Sequence, residues 1–360
     1  MAALELAGLD ALALNPGSTL TYLTGLHFHL MERPTVILFA PHADPVIILP
    51  ELEVGKISSL DYPIRSFAFG DDPSTWAAVF KTASQAAGID GRRVGVEPRA
   101  LRFLELRILE GAAPQAHFVS AEATLSSLRV HKDESEIASM RQAVDIAQKA
   151  LQATLPAIRV GASERELASE LTLQLLQNGS DTEFPFRPII AGGPNSANPH
   201  SVPTDRKLQQ GDLLIIDWGA AFDGYISDLT RTFAIGKIDP ELERIYHVVA
   251  EANAAGRSAA RPGVPAGQVD AAARAVIEKA GYGKFFIHRT GHGIGMEGHE
   301  EPYIYGENAL LLEPGMTFTV EPGIYLPGRG GVRIEDNVAI TASGAESLSD
   351  MSRQFLVLDR

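Results

Sequence analysis

The chain has 360 residues, 45% hydrophobic and 21% charged, the composition of an ordinary globular protein, and at roughly 150 residues per domain this length predicts two domains. Lys and Arg number 31 against 45 Asp and Glu, a net charge of −14 that argues against anionic partners such as nucleic acids and acidic membranes. Cysteine is absent, which excludes disulfides, thiolate metal sites and cysteine nucleophiles.

The first twelve residues carry Glu5 and Asp10 and no basic stretch, so we expect no signal peptide. No uninterrupted apolar run of membrane-spanning length occurs in the sequence. A cytoplasmic protein is therefore expected, with small molecules or peptides as partners.

Short apolar runs alternate with helical patterns in the first third of the chain. They predict strands at 36–39, 46–49 and 93–96, a helix at 76–87 closed by Gly88, and a helical pattern from Leu101 to Leu109. This alternation predicts an α/β domain over residues 1–125.

Residues 126–360 are predicted to form a second domain. Asp133 with Glu136, and Ser163 with Glu166, have the spacing of capping boxes and predict the starts of two helices, the second ending at Gly179. From residue 183 strand patterns dominate, interrupted by helices at about 240–260 and 267–280. Because these elements come in blocks, we expect an α+β domain with antiparallel strands.

Two aspartates lie on successive strand patterns of this second domain. Asp217 comes directly after four aliphatic residues, and Asp228 lies eleven residues later in the segment 225–233, predicted as the second strand of a hairpin. Two carboxylates brought together by such a hairpin repel each other unless they share a proton or bind a cation. The alternative is a solvent-facing Asp217 and an ion pair between Asp228 and Arg231.

Three further segments add possible ligands. Residues 288–299 contain three histidines between glycines, which let the backbone approach a ligand closely. Glu321 and Glu335 each end a strand pattern. Four strand-borne carboxylates and a histidine form an oxygen-rich set that suits Mn²⁺, Co²⁺ or Zn²⁺, and bridging carboxylates suit two ions.

The ordered set Asp217, Asp228, His292, Glu321 and Glu335 resembles the dinuclear site of the pita-bread metallopeptidases, which include methionine aminopeptidases, Xaa-Pro aminopeptidases and Xaa-Pro dipeptidases (prolidases). The interval between the aspartates, the His-Gly-Ile-Gly stretch from residue 292, the Glu-Pro-Gly from residue 321 and the preceding Pro199-His200 all agree. The resemblance covers about residues 133–360, and more loosely the N-terminal domain. It implies a creatinase-like α/β N-terminal domain and an α+β pita-bread catalytic domain.

The resemblance also implies two divalent metal ions, with Mn²⁺ expected and Co²⁺ or Zn²⁺ as alternatives. Asp217 and Asp228 would hold one ion. Asp228 and Glu335 would bridge to the second, which His292 and Glu321 would complete. A water shared by the ions would be the nucleophile, and Glu321 would carry its proton to the leaving proline nitrogen.

The remaining implied roles surround this centre. His200 and His299 would line the pocket and hydrogen-bond the scissile carbonyl, and His288 would form a wall of the proline pocket. Arg333 and Tyr325 would orient Asp217. The alternatives are a surface ion pair for Arg333 and core packing for Tyr325.

Length and one substitution bear on the member of the family. About 125 residues precede the catalytic domain, as in Xaa-Pro peptidases and unlike methionine aminopeptidases. In many microbial prolidases an arginine that binds the dipeptide's carboxylate follows the His-Glu-Glu-Pro run, whereas Tyr303 follows residues 299–302 here.

The sequence therefore favours an Xaa-Pro aminopeptidase, expected as a homodimer, acting on short peptides with proline at the second position. Two alternatives stay open. One is an Xaa-Pro dipeptidase whose carboxylate anchor comes from another loop, for example Arg329. The other is a non-catalytic peptide-binding relative.

Overall fold

Alternate residues of one central strand supply the two cores of the N-terminal unit. In the computed structural model, which describes residues 2–358, the chain divides into a unit of residues 1–128 and a unit of residues 129–360. Ala11 and Ala13 pack with helical residues such as Phe80, while Leu12 and Leu14 pack with others such as Leu20. This period of two, with helices on both faces, is that of an α/β layer structure.

The elements of the N-terminal unit, in chain order, are the following: α1 (Ala2–Leu6), β1 (Ala11–Leu14), α2 (Ser18–Thr24), β2 (Val36–Phe39), β3 (Val46–Pro50), a 3₁₀ segment (Glu51–Ser59), β4 (Arg65–Phe69), a 3₁₀ turn (Pro73–Thr75), α3 (Trp76–Ala87), β5 (Arg93–Val96), α4 (Phe103–Ala112), β6 (His117–Ser120) and α5 (Glu122–Arg129). The strands form one mixed sheet in the order β4-β3-β2-β1-β5-β6. The predicted α/β domain is confirmed.

Three strands of this sheet were not predicted from the sequence. β1 is an Ala-Leu alternation without β-branched residues, so its strand propensity is weak and its buried position between β2 and β5 decides its conformation. β4 and β6 are the edge strands, and their mostly exposed or half-buried residues give little apolar signal.

The C-terminal unit contains four helices among the described residues: α6 (Glu134–Thr154), α7 (Glu164–Gln177), α8 (Pro240–Ala259) and α9 (Ala266–Lys279). Both predicted capping boxes form. The Glu136 amide donates to Asp133 Oδ1 at 2.9 Å, and the Glu166 amide donates to Ser163 Oγ at 3.2 Å. Each box satisfies two backbone amides that the helix itself leaves unpaired, which fixes where α6 and α7 begin.

The strands of this unit are the following: β7 (Ile189–Gly192), β8 (Leu213–Trp218), β9 (Ala221–Phe222), β10 (Tyr225–Ile226), β11 (Leu229–Ile235), β12 (Gly291–Gly293), β13 (Glu300–Ile304), β14 (Thr317–Val320), β15 (Gly323–Leu326), β16 (Gly330–Arg333), β17 (Asp336–Thr341), β18 (Gly344–Ser347) and β19 (Val357–Leu358). Short 3₁₀ segments lie at Leu155–Ala157, Gly193–Ala197 and Gly283–Phe285. The larger sheets have the orders β19-β11-β8-β7 and β13-β12-β14-β17-β18, and β9–β10 and β15–β16 form separate pairs. All these pairings are antiparallel except β11–β19, so the predicted α+β domain is confirmed.

Helices cover both larger sheets. Apolar residues of α6 and α7 pack with those of β7, β8 and β11, and α9 packs with residues of β14 and β17. The indole of Trp218, which is fully buried, donates to the Ala147 carbonyl of α6 at 2.8 Å and fixes the end of β8. Among residues 2–358, no helix combines the length and apolar composition needed to cross a membrane.

The predicted strand at 225–233 is wrong in one detail. β10 pairs only with β9, and the chain leaves the ladder at Ser227 and Asp228 before β11 begins. The Asp228 amide donates to the Asn337 side chain at 3.0 Å instead of to a strand partner. The two ladders keep one register, since Ile226 pairs with Ala221 and Leu229 with Trp218, so no residue is inserted at the break and Asp228 stays on the face of Thr230.

Candidate metal centre

Neighbouring strands place the first carboxylates. Asp217 lies in β8 opposite Thr230 of β11, and Asp228 directly precedes β11. Asn337 of β17 holds the Asp228 backbone from both sides, since it accepts from the Asp228 amide at 3.0 Å and donates to the Asp228 carbonyl at 2.7 Å. Glu335 lies between β16 and β17, and its amide donates to the Thr230 carbonyl at 3.1 Å. The two larger sheets therefore meet at these carboxylates.

His292 reaches the same place from β12. Its Nε2 lies 3.3 Å from Glu321 Oε1 and 3.7 Å from Asp228 Oδ2. Donor atoms of Asp228, His292 and Glu335 all lie within 4.8 Å of one another, close enough to share an ion. The flanking glycines make this approach possible, because a Cβ on Gly291 would lie 1.8 Å from the Thr319 carbonyl oxygen.

The imidazole of His292 is set up as a ligand. Its Nδ1 lies 3.2 Å from the Gly293 carbonyl oxygen, which accepts a hydrogen bond from an Nδ1–H and leaves Nε2 with a free lone pair. Burial lowers the pKa of His292 to about 3, and the neighbouring His299 adds to this effect. The ring is therefore neutral at physiological pH, as metal binding requires.

Burial and repulsion between like charges raise the pKa values of the clustered carboxylates. Burial raises the pKa of Asp228 well above its ordinary value, and Glu335 and Asp217 raise it further. The pKa of Glu335 is raised by burial and then by Glu321 and Asp217. Burial raises the pKa of Glu321 to about 7. A divalent cation is the usual solution where several carboxylates share one dry site.

Two buried oxygen atoms support this interpretation directly. Asp217 Oδ1 and Glu335 Oε1 have no hydrogen-bond partner among the described residues. Leaving buried charged oxygens unpaired costs free energy, so such atoms are rare unless an ion or water satisfies them. The chain thus offers a cluster of oxygen donors with one imidazole nitrogen, the donor set of a hard or borderline divalent metal.

Arg333 organises the side of the site around Asp217. Its Nη2 donates to Asp217 Oδ2 at 2.5 Å, its Nε to Thr230 Oγ1 at 3.2 Å, and its Nη1 to the Tyr325 hydroxyl at 3.0 Å. The residue is 3% exposed, so it is not the surface ion pair that was the alternative. Burial raises the pKa of Asp217, while Arg333 acts in the opposite sense.

Three histidines lie around the centre. His288 Nε2 is 2.9 Å from the Tyr325 hydroxyl, and burial lowers the pKa of His288 to about 4, so this ring is also neutral. The His299 ring lies 4.1 Å from the His292 ring. His200 is exposed and directly follows Pro199, whose carbonyl accepts from Arg333 Nη1 at 3.3 Å. All ten residues singled out from the sequence thus lie in one region.

Three supporting residues escaped the sequence analysis. Thr230 donates to Glu335 Oε2 at 2.6 Å while it accepts from Arg333, and Thr319 accepts from the His292 amide at 3.1 Å. Asn337 is the third. A usable signal existed, because Thr230 and Asn337 each lie two residues after a ligand candidate and alternate residues of an extended chain share a face.

The sequence left alternative roles open for two arginines, and the structure shows other partners for both. Arg231 does not pair with Asp228. Its Nη2 lies 2.9 Å from Asp336 Oδ1, and its Nη1 donates to the Glu335 carbonyl at 2.7 Å. Arg329 forms surface ion pairs with Asp239 and Glu241, so its guanidinium is already engaged away from the cluster.

Comparison with known proteins assigns both units. Residues 138–342 match the model of metallopeptidase family M24, and residues 1–131 match the creatinase/prolidase N-terminal domain. An Xaa-Pro dipeptidase of Lactobacillus helveticus is 36% identical over 342 residues, 94% of this chain and 92% of that protein.

Solved structures agree with these matches. A dipeptidase from Pyrococcus horikoshii is 38% identical with a TM-score of 0.92, over 99% of this chain and 98% of that one. A prolidase from Thermococcus sibiricus is 34% identical with a TM-score of 0.93, over 99% and 96% of the two chains. The pita-bread fold expected for the catalytic domain is confirmed. The chain belongs to metallopeptidase family M24 and is a hydrolase of the Xaa-Pro peptidase group.

Proposed function

We propose that this protein is an Xaa-Pro dipeptidase, which hydrolyses the bond before proline in dipeptides. The observation that supports metal-dependent hydrolysis most strongly is the buried cluster of Asp228, His292 and Glu335, whose donor atoms lie within 4.8 Å of one another. The names of similar proteins, an Xaa-Pro dipeptidase and a prolidase among them, favour a dipeptide substrate over the longer peptides that the sequence alone suggested.

Five side chains are proposed as metal ligands. Asp217 and Asp228 would hold one divalent ion, and His292 and Glu321 the other, with Asp228 and Glu335 shared between them. Ions held there supply the positive charge that lowers the pKa of an attacking water and polarises the peptide carbonyl. The unpartnered Asp217 Oδ1 and Glu335 Oε1 leave free lone pairs for this purpose.

The chain's own groups would handle the proton and the substrate. Glu321, whose Oε1 lies 3.3 Å from His292 Nε2, would accept a proton from the attacking water and pass it to the proline nitrogen. His200 and His299, both exposed, would donate hydrogen bonds to the scissile carbonyl as negative charge develops on it. Arg333, held by Tyr325, would keep Asp217 in position. His288 would form one wall of the proline pocket.

An Xaa-Pro aminopeptidase is the second candidate. Tyr303 occupies the position directly after the His-Glu-Glu-Pro run of residues 299–302, where many microbial prolidases carry an arginine for the substrate carboxylate. A site without such an arginine has no need of a free carboxylate at the second residue and accepts longer peptides.

The test compares Gly-Pro with Arg-Pro-Pro after treatment with a chelator and after addition of Mn²⁺, with Ala-Leu as the control for the proline requirement. We expect Gly-Pro to be hydrolysed only with metal, and Arg-Pro-Pro to be a much poorer substrate. Removal of arginine from Arg-Pro-Pro with little action on Gly-Pro would assign the aminopeptidase. No hydrolysis of either peptide with any divalent metal would overturn both.

Three further properties are proposed with this function. Mn²⁺ is proposed as the working metal, which a comparison of Mn²⁺, Co²⁺ and Zn²⁺ in the metal-free protein would test. A homodimer is proposed, and sedimentation that finds a monomer at assay concentrations would reject it. A cytoplasmic location is proposed, which fractionation of the source cells would test.

A further inference from the structure

We propose that the Arg289 guanidinium binds the C-terminal carboxylate of the substrate and thereby limits the enzyme to dipeptides, in place of the arginine that is absent at Tyr303. This inference rests on the proposed dipeptidase function. It assigns a specificity-determining residue to a position that the ligand set and the histidines leave without a role.

The position of Arg289 in the chain puts it beside the substrate pocket. It lies between His288, which contacts the Tyr325 hydroxyl, and Thr290, whose carbonyl accepts from the Glu321 amide at 2.7 Å. His292 follows three residues later on the same segment. A side chain at this point is therefore attached to the backbone that carries the proposed metal ligands and the proposed proline pocket.

The guanidinium is held over the ring of Tyr303. Its Cζ lies 4.4 Å from the ring centroid, the geometry of a stacked cation–π contact. Tyr303 belongs to β13, four residues after His299, so the contact fixes the charge next to the loop that lines the site. Stacking leaves the edge of the guanidinium, with its N–H groups, free to bind a planar anion.

The charge of Arg289 is available. Across the described residues 2–358, no hydrogen bond or ion pair engages its side chain, although the residue is half-buried. Arg333, in contrast, is committed to Asp217, Thr230 and Tyr325. His288 is neutral at physiological pH, because burial lowers its pKa to about 4, so it brings no positive charge to the pocket.

The charge also acts on the site. Arg289 is among the groups that oppose the burial-driven rise in the pKa of Glu321, and it contributes to the low pKa of His292. A dipeptide brings a carboxylate into a region that already holds four acidic side chains. A nearby unpaired cation offsets this repulsion, and the fork of an arginine binds a carboxylate through two parallel hydrogen bonds.

The test measures the preference for a free carboxylate. Gly-Pro and Gly-Pro-amide differ only in that group, and both are assayed with Mn²⁺ in the wild type and in R289M, R289K and Y303L. The control variant is R329M, which removes a surface arginine that already pairs with Asp239 and Glu241. Thermal melts establish that each variant is folded. Inhibition by free proline against prolinamide measures carboxylate binding without turnover.

We expect the wild type to prefer Gly-Pro over the amide. In R289M the KM for Gly-Pro should rise about 30-fold with kcat little changed, because a charge-assisted bidentate pair with the carboxylate is lost. Hydrolysis of Gly-Pro-amide, which has no carboxylate, should not change. R289K should recover part of the preference, since it keeps the charge without the fork. In Y303L the preference for Gly-Pro over the amide should fall roughly 3- to 5-fold, because the ring contact that holds Arg289 is lost. R329M should behave as wild type.

The outcomes separate the two proposals. If the wild type hydrolyses Gly-Pro and R289M keeps the same acid-to-amide preference, the inference is overturned and the dipeptidase function stands. A variant that changes only the selectivity for the residue before proline, for example Glu-Pro against Gly-Pro, also overturns it. A wild type that does not hydrolyse Gly-Pro overturns both. If R289M does not fold, R289K decides in its place, with a reduced preference supporting the inference and an unchanged one overturning it.

Discussion

Glu335 and Asp336 are adjacent in the sequence, both nearly fully buried, and stand in opposite electrostatic surroundings. Asp336 faces Arg231 and Arg353, at 2.9 and 2.7 Å, and these cations hold its pKa well below the usual range despite its burial. Glu335 faces other carboxylates, and burial together with Glu321 and Asp217 raises its pKa.

The charged surroundings of these two neighbouring residues indicate different roles. The charge around Asp336 is balanced inside the chain, so this residue joins β17 to the segment 347–353 through arginines and serine. The charge around Glu335 is not balanced by the chain, and one of its oxygens has no partner among the described residues. We therefore assign stability to the first environment and ligand binding to the second.

The largest effect is expected from D228N. It removes a carboxylate shared between the proposed ions while keeping the shape of the side chain, so hydrolysis of Gly-Pro should fall at least about 10³-fold. The melting temperature of the metal-free protein should not fall, because burial and the neighbouring carboxylates raise the pKa of Asp228 and so already disfavour its charged form. D145N, which changes a half-buried aspartate paired with Lys149 on α6, is the matched control. An active D228N variant would reject the ligand assignment.

The converse effect is expected from D336N. It leaves the buried Arg231 and the half-buried Arg353 without their anion, so the free energy of unfolding should fall by about 3–5 kcal/mol. Urea denaturation of the metal-free protein measures this change, and D145N again serves as the control. A loss under about 1 kcal/mol would mean that backbone carbonyls around Arg231 suffice, and the contrast between the two sites would weaken.

The sequence predicted the ligand candidates by three signals: Asp217, Glu321 and Glu335 end apolar strand patterns, Asp228 follows at hairpin spacing, and His292 belongs to a glycine-rich histidine cluster. Arg333, two residues before Glu335, was identified only through the family resemblance. The ion pairs of Asp336 were not predicted. Along the chain the near acidic partner for Arg231 is Asp228, and only the packing of β17 against β11 makes Asp336 its partner. Thr230 and Asn337 gave no hydrophobic signal, and the break at Asp228 depends on a hydrogen bond 109 residues away.

Stability against pH should distinguish the metal-free from the metal-loaded protein. Burial raises the pKa of Glu321 from 4.5 to about 7 and also raises the pKa values of Asp228 and Glu335. A carboxyl whose pKa is higher in the folded state than in the unfolded state stabilises the fold at pH values below its unfolded-state pKa. This contribution is lost as the pH rises through its folded-state pKa.

Above pH 6.5 the pH dependence of stability comes from these carboxyls. His288 and His292 have lowered pKa values, so their contribution to stability is lost only as the pH falls below 6.5. We expect the free energy of unfolding of the metal-free protein to fall by at least about 1 kcal/mol between pH 6.5 and 9. Bound metal should flatten the profile. Equal slopes with and without metal would contradict the assignment of these carboxyls to a metal site.

The smallest effect is expected from Y325F. It removes the hydroxyl that accepts from Arg333 at 3.0 Å and contacts His288 at 2.9 Å, without changing the ring. We expect about a 10-fold loss in activity or metal affinity, since groups that orient a ligand act at this scale. Y305F, at an exposed tyrosine, is the control. An unchanged Y325F would restore the core-packing alternative for Tyr325.

Calorimetric titration of the metal-free protein with Mn²⁺ at pH 7, in two buffers of different ionisation enthalpy, tests the proposed metal centre most directly. We expect two ions per chain and a net release of protons, because the raised pKa values of Asp228, Glu321 and Glu335 favour protonated carboxyls, and metal binding requires these groups to lose their protons. Binding of fewer than two ions, or binding without proton release, would contradict the proposed centre.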